Sequence, residues 1–324
     1  MTVNPTVVFD SSTDNPHLVQ MLSLRLWAQL GLTTIMASAG RSAVLGCLIN
    51  RGWPNYWERT AMIKDILVRL DGTPQDDIRL AAVDQIAAIF ASHITGLYFN
   101  LQSPLTSGEV AKEDGDVLEA AAMARLRRLR QETHLRRFDV AGEEDVPDTA
   151  MLPARAADTF VELCPDSRSS NPERLIERLL FGAGRHVFLV PNDLKAVSFW
   201  KHAIVAWNGS REAARALAEA MPYLHLAEKV GLLVVEGEHS TEADLLMGND
   251  AVQHLRHHGI NAVKYRAFGE EDETAGVLIE ECRKLDANLL VMGSYGHSAL
   301  HELLPGSTTS RLLRRSPIPL VVAH

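Results

Sequence analysis

The sequence predicts an α/β protein made of two tandem, doubly wound parallel sheets with five strands each. Three observations predict it. Short apolar segments alternate with helical patterns, one strand-and-turn motif occurs twice, and 324 residues are enough for about two domains. Strands that alternate with helices imply parallel pairing, right-handed crossovers and helices on both faces.

The repeated motif is Lys64-Asp65-Ile66-Leu67-Val68-Arg69-Leu70-Asp71-Gly72-Thr73, and again Lys201-His202-Ala203-Ile204-Val205-Ala206-Trp207-Asn208-Gly209-Ser210. Lys64 aligns with Lys201, Asp71 with Asn208, Gly72 with Gly209 and Thr73 with Ser210. Each copy is an apolar strand closed by turn residues and followed by a helical pattern. A period of roughly 130–140 residues means duplicated domains, because solenoid repeats are far shorter.

In the second copy, strands are expected at Ala203–Trp207, Val230–Val235, Ala262–Ala267, Leu289–Met292 and Ile318–Val322. Helices are expected at Arg211–Ala220, stopped before Pro222, and at Glu242–His258, Thr274–Leu285 and Thr308–Arg315. Gly259 stands where a helix C-terminal stop belongs. The first copy repeats the pattern more loosely, with strands at Ile66–Leu70, Ile94–Phe99, Arg137–Val140, Thr159–Leu163 and Val187–Val190 and a long Arg- and Ala-rich helix after Asp116. The expected domains are therefore 62–191 and 200–324. Residues 1–61 fit neither copy. Two readings stand: an extension upstream of a true start at Met62, or a native N-terminal arm that packs on the domains or on a partner.

Composition narrows the function. Hydrophobic residues make up 46% and charged residues 23%, an ordinary globular balance. The net charge of −9 gives no field to attract a phosphate backbone, so nucleic acid is not an expected partner. Cys47, Cys164 and Cys282 are odd in number and far apart, which argues against a disulfide framework and fits a reducing, cytoplasmic setting. The apolar stretch from Met21 to Ile49 is broken by Arg25, Gln29 and Arg41, so no membrane partner is expected either.

The chemistry concentrates after the fourth strand of the second copy. Gly293-Ser294-Tyr295-Gly296 is followed by nine residues, His297 to Pro305, then Gly306-Ser307-Thr308 and a helix. Glycines let a backbone approach a ligand closely. Ser307 and Thr308 stand at a helix start, where free amides and the helix dipole favour an anion. The same pattern also describes a glycine loop and an ordinary Ser/Thr helix cap. In a doubly wound sheet, ligands bind at the carboxyl ends of the strands where strand order reverses. If the strands ending at Asn208 and Gly293 are neighbours, their loops face one crevice.

At these residues the chain resembles the universal stress protein family. The segment from Gly293 through Gly306-Ser307 is similar to that family's nucleotide signature, and Ser316-Pro317-Ile318-Pro319-Leu320-Val321-Val322 looks like its last strand. The resemblance covers 62–324 as two copies, and the second carries the signature. It implies an adenine nucleotide alpha hydrolase-like sheet of order 3-2-1-4-5, with ATP, with or without Mg2+, as the ligand. It also implies roles. Asn208 stands where the family usually has an Asp that meets adenine, and Val235 fits an adenine-contacting Val. Gly293, Gly296, Gly306 and Ser307 fit the ribose and phosphate signature, Thr308 follows at the helix start, and His297 lines the pocket. The substitution of Asn208 for an acid removes the stronger acceptor. The first copy lacks a Gly-x-x-Gly after its fourth strand, where Cys164-Pro165-Asp166-Ser167-Arg168 stands, so its expected job is to pair with the second copy as an intramolecular pseudo-dimer. A homodimer of whole chains is the alternative.

Other features have plainer readings. His254, His257 and His258 crowd a helix end without metal-ligand spacing. Cys164 reads as a structural thiol, and Arg125–Arg130 as a solvated helix face that balances nearby acids. No nucleophile, base and oxyanion set is visible, so no catalytic residues are assigned and ATP hydrolysis should at most be slow. The leading function is a stress-response regulator read by an unknown protein partner. The alternatives are an interaction module that binds no nucleotide, and an adenylating enzyme. The latter needs a Ser-Gly-Gly-rich loop where Asn208-Gly209-Ser210-Arg211 stands.

Overall fold

The computed structural model describes residues 63–102, 108–165, 172–194, 200–237, 246–270, 272–294 and 308–324. The first half runs β1 (Asp65–Leu70), α1 (Asp76–Phe90), β2 (His93–Leu101), α2 (Gly108–Leu126), β3 (Thr133–Val140), α3 (Val146–Ala154), β4 (Thr159–Leu163), α4 (Pro172–Gly182) and β5 (Val187–Val190). The second runs β6 (His202–Ala206), α5 (Arg211–Leu224), β7 (Lys229–Glu236), α6 (Asn249–His257), β8 (Ala262–Phe268), α7 (Thr274–Lys284), β9 (Leu289–Gly293), α8 (Thr308–Arg315) and β10 (Leu320–Ala323).

The ten strands form one sheet in the order β3-β2-β1-β4-β5-β10-β9-β6-β7-β8. Within each half all pairs are parallel and the order is 3-2-1-4-5, as the resemblance implies. The junction goes beyond the sequence reading of two separate sheets. β5 and β10 pair antiparallel, with Leu189 opposite Leu320, Phe188 opposite Val321 and Val187 opposite Val322. Both strands are four residues long and buried throughout. Left apart, each would present an unpaired apolar edge, and pairing them removes both edges at once.

The strands read as continuous apolar runs because the sheet is covered on both faces. Ile66, Val68, Ala203 and Val205 enter one core; Leu67 and Ile204, which point the other way, enter the second. Each core runs through both halves.

Several boundaries differ from expectation. α5 continues through Pro222 to Leu224. The proline removes one backbone donor in the last turn only, and the fully buried Tyr223 and Leu224 hold that turn in place. α2 begins at Gly108 rather than after Asp116, and it ends at Leu126, so Arg127–Arg130 lie beyond it. Arg125 pairs with Asp77 and donates to the Gly72 carbonyl, while Arg137 is held by Asp116, Glu119 and Asp139. Within the basic stretch, Arg125 and Arg128 both pair with Asp77.

Candidate functional site

The repeated turn gives the site its frame. In the second half, Asn208 Oδ1 accepts from the Ser210 amide at 3.1 Å. In the first half, Asp71 Oδ1 accepts from the Thr73 amide at 2.9 Å. Both are side-chain-closed turns, and both place the next glycine at positive φ: +79° for Gly72 and +75° for Gly209. Ser210 then caps α5, its hydroxyl accepting from the Ala213 amide at 3.1 Å. Asn208 and Asp71 therefore share a structural task, closing the turn. The Asn208 side chain is exposed. Its NH2 and the second lone pair of its oxygen remain for a ligand.

Strand order reverses between β6 and β9. Their last register pair is Val205 with Val291, and Trp207 and Gly293 follow it. β6 continues through α5 to β7 on one side, and β9 continues through α8 to β10 on the other. Asn208, two residues past β6, and Gly293, the last residue of β9, consequently stand at the carboxyl ends of neighbouring strands, where a doubly wound sheet opens a crevice. Val235 lies half-buried near the end of β7, one strand away. Thr308 is the first residue of α8, on the β10 side. Gly296, His297, Gly306 and Ser307 lie outside the described residues.

Gly293 also has a packing reason. A Cβ there would lie 2.5 Å from the Ala213 amide nitrogen and 2.5 Å from the Glu212 carbonyl carbon. The strand end and the first turn of α5 touch backbone to backbone.

Two residues beside β9, Glu212 and His324, carried no sequence signal, and they flank Ser294 of the glycine motif. Glu212, in the first turn of α5, is 3% exposed. Burial pushes its carboxyl up, but the Arg211 guanidinium hydrogen-bonded to it holds it below the usual carboxylate range. Ser294 is buried; its amide and hydroxyl both donate to the Ala323 carbonyl, at 2.9 and 3.2 Å. His324 Nδ1 lies 2.9 Å from the Ser294 carbonyl, and its ring meets Phe181 of the first half edge-on. A glutamate after Ser-Arg and a histidine at the chain end look like surface residues in sequence. Only the sheet order brings them to β9.

The first half fills the corresponding place with charge. Asp76 opens α1 and is fully buried, its oxygens accepting from the amides of Asp71 (3.1 Å) and Gly72 (2.9 Å). Arg79, 4% exposed, donates to Asp76, Asp71 and Glu162 at 3.0, 3.3 and 2.8 Å. Glu162 projects from β4, and its Oε2 is buried without a hydrogen-bond donor among the described residues. The guanidinium thus bonds three carboxylates through its Nε and one terminal nitrogen.

Cys164 and Cys282 are buried, and burial pushes each thiol up to about 12, so both are inert packing residues at neutral pH. Among the described residues no group of His, Cys, Asp and Glu could hold a metal, and no helix is long and apolar enough to cross a membrane.

These features define a doubly wound α/β domain whose strand order reverses between β6 and β9. Residues 200–324 match the model of the universal stress protein family. The crystal structure of a universal stress protein from Archaeoglobus fulgidus DSM 4304 superposes with a TM-score of 0.65 at 16% identity, covering 80% of this chain and 97% of that one. A functionally unknown protein from Pseudomonas aeruginosa PAO1 gives a TM-score of 0.55 at 16% identity, covering 83% and 94%. At these identities the likeness is one of fold, and it extends across both halves. No curated protein shows a sequence match to the chain.

Proposed function

We propose that residues 200–324 bind an adenine nucleotide, ATP in the first instance, and that the protein is a nucleotide-dependent regulator in a stress response rather than a fast enzyme. Residues 62–191 are, in this reading, a degenerate universal stress protein domain that forms a pseudo-dimer with residues 200–324. The observation that supports the proposal is the adjacency of β6 and β9, whose carboxyl ends lead to Asn208 and Gly293 side by side. The base lies toward Asn208 and Val235, and Asn208 offers a donor and an acceptor to it. The phosphates lie toward Thr308 at the start of α8, where the helix end favours an anion. The ionised Glu212 disfavours the opposite path along α5. Gly296, His297, Gly306 and Ser307 complete the cradle, and Mg2+ enters only as a companion of the phosphates.

The first half takes no nucleotide at its own crevice, since Asp71, Asp76 and Glu162 repel phosphate and outnumber Arg79, which is paired with all three. One nucleotide per chain follows. Gently purified protein, denatured and resolved by anion exchange, should release close to one ATP or ADP per chain, and a Gly306→Trp variant should release none. An empty protein that also ignores millimolar ATP in a thermal-shift titration would leave the interaction-module reading in its place.

A further inference from the structure

Helix α8 is held from the other half. Its sequence, Thr308-Thr309-Ser310-Arg311-Leu312-Leu313-Arg314-Arg315, buries Leu312 and Leu313 completely. That burial fixes which face of the helix points inward. It fixes less well how far the helix is shifted along its axis, because apolar contacts are not directional. The directional contacts come from Glu173, in the first turn of α4. One carboxylate oxygen accepts from Ser310 Oγ at 2.7 Å, and the other accepts from the Arg314 guanidinium. Ser310 and Arg314 lie four residues apart on one face of α8, so a single carboxylate bonds two successive turns of the helix. Arg311 adds a bond to the Asp272 carbonyl within its own half.

We propose that Glu173 is a positioning residue through which the first half sets the affinity of the second half's crevice for phosphate; this rests on the nucleotide reading above. Magnitudes favour this role over a purely stabilising one. The Glu173 and Arg314 side chains are 24% and 45% exposed, and ion pairs of that kind contribute little to folding. Anion binding at a helix start is more demanding, since a site must be held within about half an ångström of its productive geometry. A contact too weak to hold the fold is still strong enough to select one setting of a helix that its core already retains. The half without a glycine signature thereby keeps a function in the half that has one.

The test is calorimetric titration of the full chain with ATP and, separately, with adenosine. The wild type, Glu173→Ala, Glu173→Gln, Ser310→Ala and Arg178→Ala are compared, with unfolding midpoints measured alongside. Arg178 lies on α4 but pairs with Asp148, so its variant serves as the control. Glu173→Ala and Ser310→Ala should each weaken ATP about tenfold and leave adenosine unchanged, because only the phosphates reach α8. Glu173→Gln, which keeps an acceptor for Ser310, should retain part of the affinity. Equal ATP affinity in the wild type and both alanine variants would overturn the proposal, as would equal losses for ATP and adenosine. Tighter ATP binding by Glu173→Gln would also overturn it, by showing that the carboxylate merely repels phosphate. A wild type that binds neither ligand would instead refute the nucleotide reading itself. If Glu173→Ala does not fold, Ser310→Ala, which removes one hydroxyl, decides alone.

Discussion

Asp71 and Asn208 close the same turn, yet their surroundings diverge. Asn208 faces open space, while Asp71 joins Asp76, Arg79 and Glu162 in a buried network. Burial, with the Asp71 charge beside it, pushes Asp76 up to about 6 from 3.8. Burial also acts on Asp71, but Arg79 and the Thr73 hydrogen bonds hold that carboxyl below its usual value. The signs are opposite. For Asp76 the folded state binds the proton more tightly, so its contribution is complete below about pH 4 and is lost as pH rises through about 6. For Asp71 the contribution is present above about pH 4 and lost below it. The stability difference between wild type and Asp76→Asn, measured by urea denaturation, should therefore decline between about pH 4 and about pH 6. A flat difference across that window would show that Asp76 titrates normally.

At the scale of elements, the contact between β9 and α5 decides what residue 293 can be. The glycine appears in sequence as part of a ligand signature, and the structure gives it a second duty against the Glu212–Ala213 backbone. A methyl group there has no flexible neighbour to displace. Gly293→Ala should therefore destabilise the protein by about 1–3 kcal/mol in urea denaturation, with or without nucleotide. Gly209 makes a useful contrast: among the described residues a Cβ there would meet only Met247, at 3.8 Å, and the constraint these residues show is the positive φ. Should Gly293→Ala keep full stability and lose only nucleotide, the packing duty would be disproved.

At the scale of the whole molecule, the two halves meet through more than β5 and β10. His186, 1% exposed and just before β5, lies 2.8 Å from the Tyr223 hydroxyl and 3.0 Å from Glu219, both on α5 of the second half. Tyr223 also packs on Phe188 and stacks with Trp200. The rings supply the apolar part of the joint, and the hydroxyl satisfies a ring nitrogen that water cannot reach. Tyr223→Phe keeps the rings and leaves His186 Nε2 buried without its partner. It should cost about 1–3 kcal/mol of unfolding free energy by urea denaturation. An unchanged midpoint would mean that the joint depends on apolar packing alone.

Much of this was legible in the sequence, because it depends on local pattern. Alternating apolar and helical segments gave the strands, with β4 and β5 placed to the residue, and α8 was expected over the span it occupies. The repeat at Lys64 and Lys201 gave two copies, since duplicated chemistry dictates duplicated turns. Residues far apart in sequence and close in space left no such trace. Pairing β5 with β10, seating Gly293 on α5, closing Arg79 on Glu162, and bringing Glu173 to Ser310 and Arg314 all depend on which strand lies beside which. By itself, the sequence determined the elements, their duplication and the turn that precedes the crevice, through periodicity and turn chemistry acting over a few residues. Only the tertiary structure decided that the two sheets become one, that one crevice is filled with charge, and that the helix of the other crevice is held from across the joint. Those outcomes come from burying strand edges and pairing buried polar groups, and both conditions belong to the folded chain as a whole.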